Sequence, residues 1–452
     1  MVSSIKENYL FSSKDLIRLL IPLMIEQFLA VAVGMADSIM VASVGESAVS
    51  AVSLADSIMI LLINVFAALA TGGAVVAGQY IGQRQNGKAC ESGEQLITFV
   101  TFISVAVMII MYFGRNFILK TVFGSIEPDV EAYAKTYIMI VFSSIPFIAV
   151  YNSGAALFRA MGNSRITMIT SLIMNGINVF GNALLVYVAK LGVAGVAIPT
   201  LVSRAVAAII IIFLLRNEEL IIHIRKKHKY KYDKNMVNNI LKIGIPSGIE
   251  NSMFQLGKIM LLSVISGFGT ASITANAVGN TVSAFGILPG AAIGLGLVTV
   301  VSQCVGAGDY EQVRFYTKKL IKYAYISMIV TNGLIILGTP LILRIYNLSA
   351  QTAAMASKVF VFHGVFACIV WPIAFTLPNT LRASNDVKYT MTVGVISMWT
   401  VRIGMGVIIS KYMKVGMLGV WISMIIDWFV RAFFFTSRYK GNKWELGAIS
   451  ED

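Results

Sequence analysis

Ile21-Pro22-Leu23-Met24-Ile25-Glu26 returns later in the chain as Ile245-Pro246-Ser247-Gly248-Ile249-Glu250, an offset of 224 residues. The same offset carries Gln79 and Gly82 onto Gln303 and Gly306, and Gly192-x-x-Gly195-Val196 onto Gly416-x-x-Gly419-Val420. Leu157-Phe158-Arg159-Ala160 is answered by Thr380-Leu381-Arg382-Ala383 at 223, one residue out of step. The 452 residues therefore read as two copies of one unit. In a hydrophobic chain, paired halves mark a transporter that moves one half against the other.

The composition places both halves in a membrane. Hydrophobic residues make up 57% and charged residues 13% of the chain, and the mean hydropathy is +0.78. Soluble domains carry about 25% charge. Apolar runs such as Leu96 to Phe113, Val193 to Leu215 and Tyr389 to Ile409 are long enough to cross a bilayer as helices. The formal charge of +14 is distributed by topology, and nucleic acid is not an expected partner. Lys and Arg gather in alternate loops, among them Lys14/Arg18, Arg84/Lys88, Arg159/Arg165, Arg225 to Lys234, Arg314 to Lys322, Arg382/Lys388 and Arg438 to Lys443. The positive-inside rule makes this set cytoplasmic, with both termini inside and an even number of spans.

Twelve spans fit, near 15–38, 50–80, 94–114, 132–152, 165–188, 193–215, 238–266, 274–304, 319–343, 357–379, 388–410 and 416–437. Six per half gives both copies the same orientation, hence parallel repeats. The expected organisation is a first lobe at 1–220, a basic cytoplasmic linker at 221–236 and a second lobe at 237–452. Cys90, Cys304 and Cys368 stand in no paired spacing, so neither a disulfide framework nor a zinc site is expected. The polar opening residues do not read as a cleavable signal.

Ionisable groups inside spans are costly and so mark function or pairing. Glu26 and Asp37 lie eleven residues apart on the first span, sharing a face about 16 Å apart along the helix. Ser171, Asn175, Asn178 and Asn182 stripe one face of the fifth span, and Thr200 follows Pro199 in the sixth. Counted inward from the loops, Asp37, Asn182 and Thr200 fall at comparable depth. Carboxylate, amide and hydroxyl oxygens suit Na⁺, or a proton held on the carboxyl. The second half departs from this pattern. Leu261 stands at the position of Asp37 and Arg402 at that of Asn178, while Glu250, Lys258, Arg402 and Asp427 suggest internal charge pairing. His363 is a candidate proton shuttle. Asp56 reads as a solvated residue at the outer end of the second span.

These residues give the chain a resemblance to the multidrug and toxic compound extrusion (MATE) family over nearly its whole length. It rests on Ile21-Pro22 through Ala36-Asp37-Ser38 to Val44-Gly45, on Gly78-Gln79-Tyr80-Ile81-Gly82-Gln83, on Phe158-Arg159-Ala160-Met161-Gly162 and on Gly195-Val196-Ala197-Ile198-Pro199-Thr200. The resemblance implies an all-α polytopic protein of two six-helix bundles in a V shape, exporting organic cations in exchange for H⁺ or Na⁺. In the DinF-like branch a first-lobe site uses an aspartate, an asparagine and a threonine, matched here by Asp37, Asn178 and Thr200. Pro22 matches a proline at which the first span is proposed to bend. Asn182 stands where that branch has a second aspartate, and Glu26 is a candidate to supply the missing charge. The NorM-like branch places acids in the second lobe. Here Pro372 occupies the span 10 position and Glu250 comes one turn early, so the pattern is closer to the first-lobe arrangement.

No phosphate loop, Ser/His/Asp set or histidine-rich metal spacing is present in the sequence. The expectation is a non-enzymatic, monomeric, ion-coupled antiporter of the inner membrane, without a cofactor beyond its coupling ion and with amphipathic organic cations as cargo. The rival reading is a flippase of a lipid-linked oligosaccharide or other anionic lipid precursor, for which Lys258 and Arg402 would meet the anionic group.

Overall fold

A computed structural model describes residues 9–119, 127–225 and 232–449, and all regular structure among them is helical. The first half contains α1 (Ser13–Ala42), α2 (Glu46–Gly82), α3 (Asn86–Phe117), α4 (Pro128–Phe142), α5 (Ile145–Ala160), α6 (Ser164–Ala183) and α7 (Ala194–Leu214). The second contains α8 (Lys234–Ser266), α9 (Thr270–Gly306), α10 (Tyr310–Tyr346), α11 (Ala350–Trp371), α12 (Pro378–Ala383), α13 (Val387–Ile396) and α14 (Met417–Lys440). The 224-residue offset holds at helix ends: Ala42 and Ser266 close α1 and α8, and α2 and α9 start and stop at equivalent residues.

The one-residue slip in the repeat has a structural cause. A π-helical turn follows α6 at Leu184–Val188 and recurs at Ile408–Tyr412, in register at 224. Yet α6 begins at Ser164 and α13 at Val387, in register at 223. The second half therefore holds one more residue between these points. A π-helical stretch without a counterpart in α6, Ser397–Met405, lies there and carries Arg402. Widening the helix to π geometry accommodates an inserted residue without breaking the backbone ladder.

Among the described residues, ten helical segments are long and apolar enough to cross a membrane, and the α4–α5 pair makes an eleventh. That pair bends by 44°. Pro146 enters its second half without an N–H to continue the ladder, so the bend falls at Ser143–Ser144. The remaining expected span, α8, seventh in chain order, has the length at 33 residues but carries Lys242, Glu250 and Lys258, and its composition falls short.

The chain forms two compact units, whose limits differ from the expected lobes. One unit joins Ile21–Gly248 with Ile449–Asp452, and the other joins Met1–Leu20 with Ile249–Ala448. The divisions fall inside α1 and α8, next to Pro22 and Pro246, rather than in the 221–236 linker. Of that linker, residues 226–231 lie outside the described residues. Arg225 is held where the description stops: its N–H donates to Glu94 Oε1 at 2.8 Å and its Nε at 3.0 Å.

Close glycine contacts explain these limits. A Cβ on Gly72 of α2 would stand 2.6 Å from the Ile240 carbonyl oxygen and 2.9 Å from the Gly244 nitrogen of α8. At the equivalent place in the other unit, a Cβ on Gly296 of α9 would meet Leu20 of α1 at 2.6 Å. The second helix of each half thus packs on the opening segment of the other half's first helix. Gly72→Ala must push backbone against backbone, so overpacking is expected to cost about 1–3 kcal/mol. Thermal melting of the purified variant checks this, and unchanged stability would mean that the helices are not in contact there.

The repeated motifs also find each other. Arg159 lies 3.6 Å from Glu26 in one unit, and Arg382 donates to both oxygens of Glu250 at 2.8 Å in the other. The Pro-x-x-x-Glu segment and the Arg-Ala segment are two ends of one ion pair, present in each copy.

Candidate functional site

The packing of α6 against α7 positions the polar stripe of the first half. A Cβ on Gly181 would come 2.7 Å from the Pro199 ring, and one on Gly195 2.9 Å from the backbone of Leu185. These small residues let the two backbones approach closely enough for Asn178 and Asn182 to reach Thr200 and α1.

Asn182 Nδ2 donates to Asp37 Oδ1 at 2.8 Å. Asn178 lies between Asp37 and Thr200, and both neighbours fix its amide orientation. With Nδ2 toward the carboxylate, it donates to Oδ1 at 2.9 Å and Oδ2 at 3.1 Å while its oxygen accepts from Thr200 at 3.1 Å. Asn182 Oδ1 is buried without a hydrogen-bond partner, an acceptor with unused capacity. Asn182 is fully buried and Asn178 and Thr200 nearly so, while Asp37 is half-buried. The structure thus brings together Asp37, Asn178, Asn182 and Thr200: a carboxylate, two amides and a hydroxyl from three helices.

Three further residues adjoin this site. Tyr137 of α4 donates its hydroxyl to Asp56 Oδ1 at 3.1 Å, and Arg204 of α7 donates to Ser144 Oγ at 2.7 Å. Asp56 and Arg204 both act electrostatically on Asp37. The surface placement expected for Asp56 is therefore corrected: it is half-buried and faces α4. No spacing within α2 signals that neighbour, because the periodicity of one helix does not name the helix it packs on.

Glu26 does not join the site. Its carboxylate accepts from Thr167 at 2.8 Å and pairs with Arg159, so the second carboxylate near Asp37 is Asp56. Pro22 lies within the continuous α1. The expected pairing among Glu250, Lys258, Arg402 and Asp427 is likewise corrected. Glu250 pairs with Arg382, and Asp427 accepts from Ser397 and from Arg431 Nε at 3.0 and 3.1 Å. Closer bases satisfy both acids, leaving Lys258 and Arg402 without a carboxylate among the described residues. His363 is buried edge-on between the Trp421 and Trp428 rings. Pro372 opens a π-helical turn at Pro372–Thr376. No cluster of three or more His, Cys, Asp or Glu side chains suited to a metal occurs among the described residues.

The MatE family model matches residues 22–184 and again residues 246–408, reproducing the 224-residue offset at both ends. The chain is 26% identical to the uncharacterized transporter YisQ of Bacillus subtilis over 433 residues, covering 94% of this chain and 93% of that protein. It is also 26% identical to the probable multidrug resistance protein NorM of Thermotoga maritima over 451 residues, covering 96% and 94%. Among solved structures, a multidrug resistance MATE family transporter of the MOP superfamily, in an outward-facing conformation, aligns with a TM-score of 0.89 at 20% identity, over 94% of this chain and 95% of that one. With two in-register matches spanning most of its length, the chain belongs to the MatE family of membrane transporters.

Proposed function

We propose that the protein is an ion-coupled exporter of small amphipathic molecules, working by alternating access, with the coupling H⁺ or Na⁺ held at Asp37. The class implied by resemblance is organic cations and drugs. One observation carries the reading: a half-buried carboxylate next to a buried amide oxygen, Asn182 Oδ1, that has no hydrogen-bond partner. One charge crossing about 100 mV supplies about 2.3 kcal/mol, or roughly fifty-fold accumulation.

The coupling site falls in the first half, the DinF-like arrangement, with Pro22 as the hinge of α1. In this reading α8 is also a span, the seventh, because it stands in the repeat where α1 stands. The protein is a monomer of the inner membrane with both termini cytoplasmic, as the basic loops favour.

Reconstituted vesicles with Na⁺ and pH gradients imposed separately test the proposal. Flux of a fluorescent amphipath is expected under one of the two gradients, and equal flux with neither imposed would exclude coupling. Thr200→Val removes the hydroxyl oxygen but keeps the carboxylate. It is expected to raise the ion concentration for half-maximal flux about tenfold, about 1.4 kcal/mol, with the maximal rate retained. Unchanged ion dependence would remove Thr200 from the site.

A further inference from the structure

The second half preserves the place of the Asp37 site but not its charge. Carried forward by 224 residues, Asp37 becomes Leu261, Asp56 becomes Asn280, Asn178 becomes Arg402 and Thr200 becomes Met424. All four of these second-half residues line a single cavity of about 240 Å³ within one unit of the fold. Lys258, at the position of Gly34, is a fifth member of its wall, and no acidic side chain lines it.

From this inverted copy we infer that the cavity binds an oxyanion group (a carboxylate, sulfonate or phosphate) carried on an apolar ring or chain. Both aspartates of the first-half site have lost their charge here, and two cations have been gained. Neither cation is ion-paired among the described residues, and Asp427 acts on Arg402 only at longer range. Glu250 and Asp427 are satisfied by Arg382 and Arg431, and neither Lys258 nor Arg402 has a carboxylate partner among the described residues. Arg402 is only 9% exposed, yet its Nε has no hydrogen-bond partner. Its guanidinium lies 5.2 Å from the centre of the Phe254 ring, which leaves its donors free for a planar oxyanion. Lys258 is exposed and supplies a second, mobile charge. Trp421 gives the wall an aromatic face, held in place by its Nε1 donating to Asn276 Oδ1 at 3.2 Å. Arg402 lies within the π-helical stretch Ser397–Met405, which has no counterpart in α6, so the second half is also reshaped around the place where its charge is reversed.

The cavity's ligand class stands without the exporter reading; only its role as the cargo site rests on that reading, and there it replaces the organic cations implied by resemblance with amphipaths bearing an oxyanion. Equilibrium binding to purified protein separates the two, since it needs no gradient. Fluorescein and rhodamine 6G share a ring system and differ in the sign of charge. Fluorescence anisotropy is expected to show fluorescein binding that rhodamine 6G does not displace. Arg402→Met and Lys258→Met should each weaken it tenfold or more, with Arg402→Lys intermediate. Fluorescein affinity unchanged in Lys258→Met and Arg402→Lys, both keeping wild-type melting, would overturn the inference even if Arg402→Met failed to fold. Repeating the titration in phosphatidylglycerol and phosphatidylcholine nanodiscs identifies the source of the group. Displacement in phosphatidylglycerol alone, lost in Lys258→Met, assigns the site to a lipid headgroup, and equal binding in both lipids assigns it to a soluble anion.

Discussion

Asp37→Asn is expected to abolish gradient-driven transport while leaving folded protein in the membrane. The substitution is isosteric and removes one charge from a site that meets two amides and a hydroxyl. The new amide can still hydrogen-bond to Asn178 and Asn182, so no buried group is newly orphaned and folding is spared. An amide binds no proton at physiological pH and gives a cation only one neutral oxygen in place of a carboxylate. Without the ion, the fifty-fold accumulation available from one charge over about 100 mV falls to equilibration. Substrate accumulation in energised vesicles, normalised to the amount of protein in the membrane, reads this directly. Wild-type accumulation in the variant would remove Asp37 from coupling.

The largest effect on stability is expected from Arg382→Ala. Arg382 donates to both oxygens of Glu250 at 2.8 Å and to Asn379 Oδ1 at 3.0 Å. The Arg382 and Glu250 side chains are only 18% and 9% exposed, so truncation leaves a carboxylate uncompensated in a low-dielectric interior. Breaking such a pair costs about 3–5 kcal/mol. Arg159→Ala should cost less, because Arg159 meets Glu26 by a single 3.6 Å contact and Thr167 still serves that carboxylate. Thermal melting in detergent compares the two. Adding Glu250→Gln to Arg382→Ala should recover much of the loss, since the neutral amide no longer needs the base. No recovery would mean that Arg382 acts through packing and not through charge.

The repeat and the membrane class were legible from spacing and composition, Asp37, Asn182 and Thr200 were grouped by depth, and Asn178 joined them through the resemblance to the MATE family. An offset of 224 needs no structure to be seen, and residues at helical spacing share a face by geometry alone. Pairings between helices were not legible in the same way. Glu250, Lys258, Arg402 and Asp427 were grouped because all four lie in or near second-half spans, yet the two acids pair with Arg382 and with Arg431, one turn away on α14. Arg382 reaches Glu250 from 132 positions away. A signal for that pair was present all the same. Both halves keep a glutamate four residues after the first-helix proline and an arginine before an alanine, a joint retention that an ion pair explains. Asp56 and Tyr137 offered no such signal, because neither is repeated: Asn280 stands for Asp56, and Val361 stands 224 residues after Tyr137. The bend at Pro146 was available from proline chemistry, but the apolar run continues through it and reads as a straight span.

Coupling at Asp37 requires one exchangeable ion there, and counting ions on purified protein reads this without a substrate. Radiolabelled Na⁺ binding and proton release on a pH step would be measured in wild type and in Asp37→Asn, at matched folding. One ion, Na⁺ or H⁺, is expected on the wild type and is expected to be absent from the variant. Equal ion counts in the two proteins would contradict this and move coupling away from Asp37.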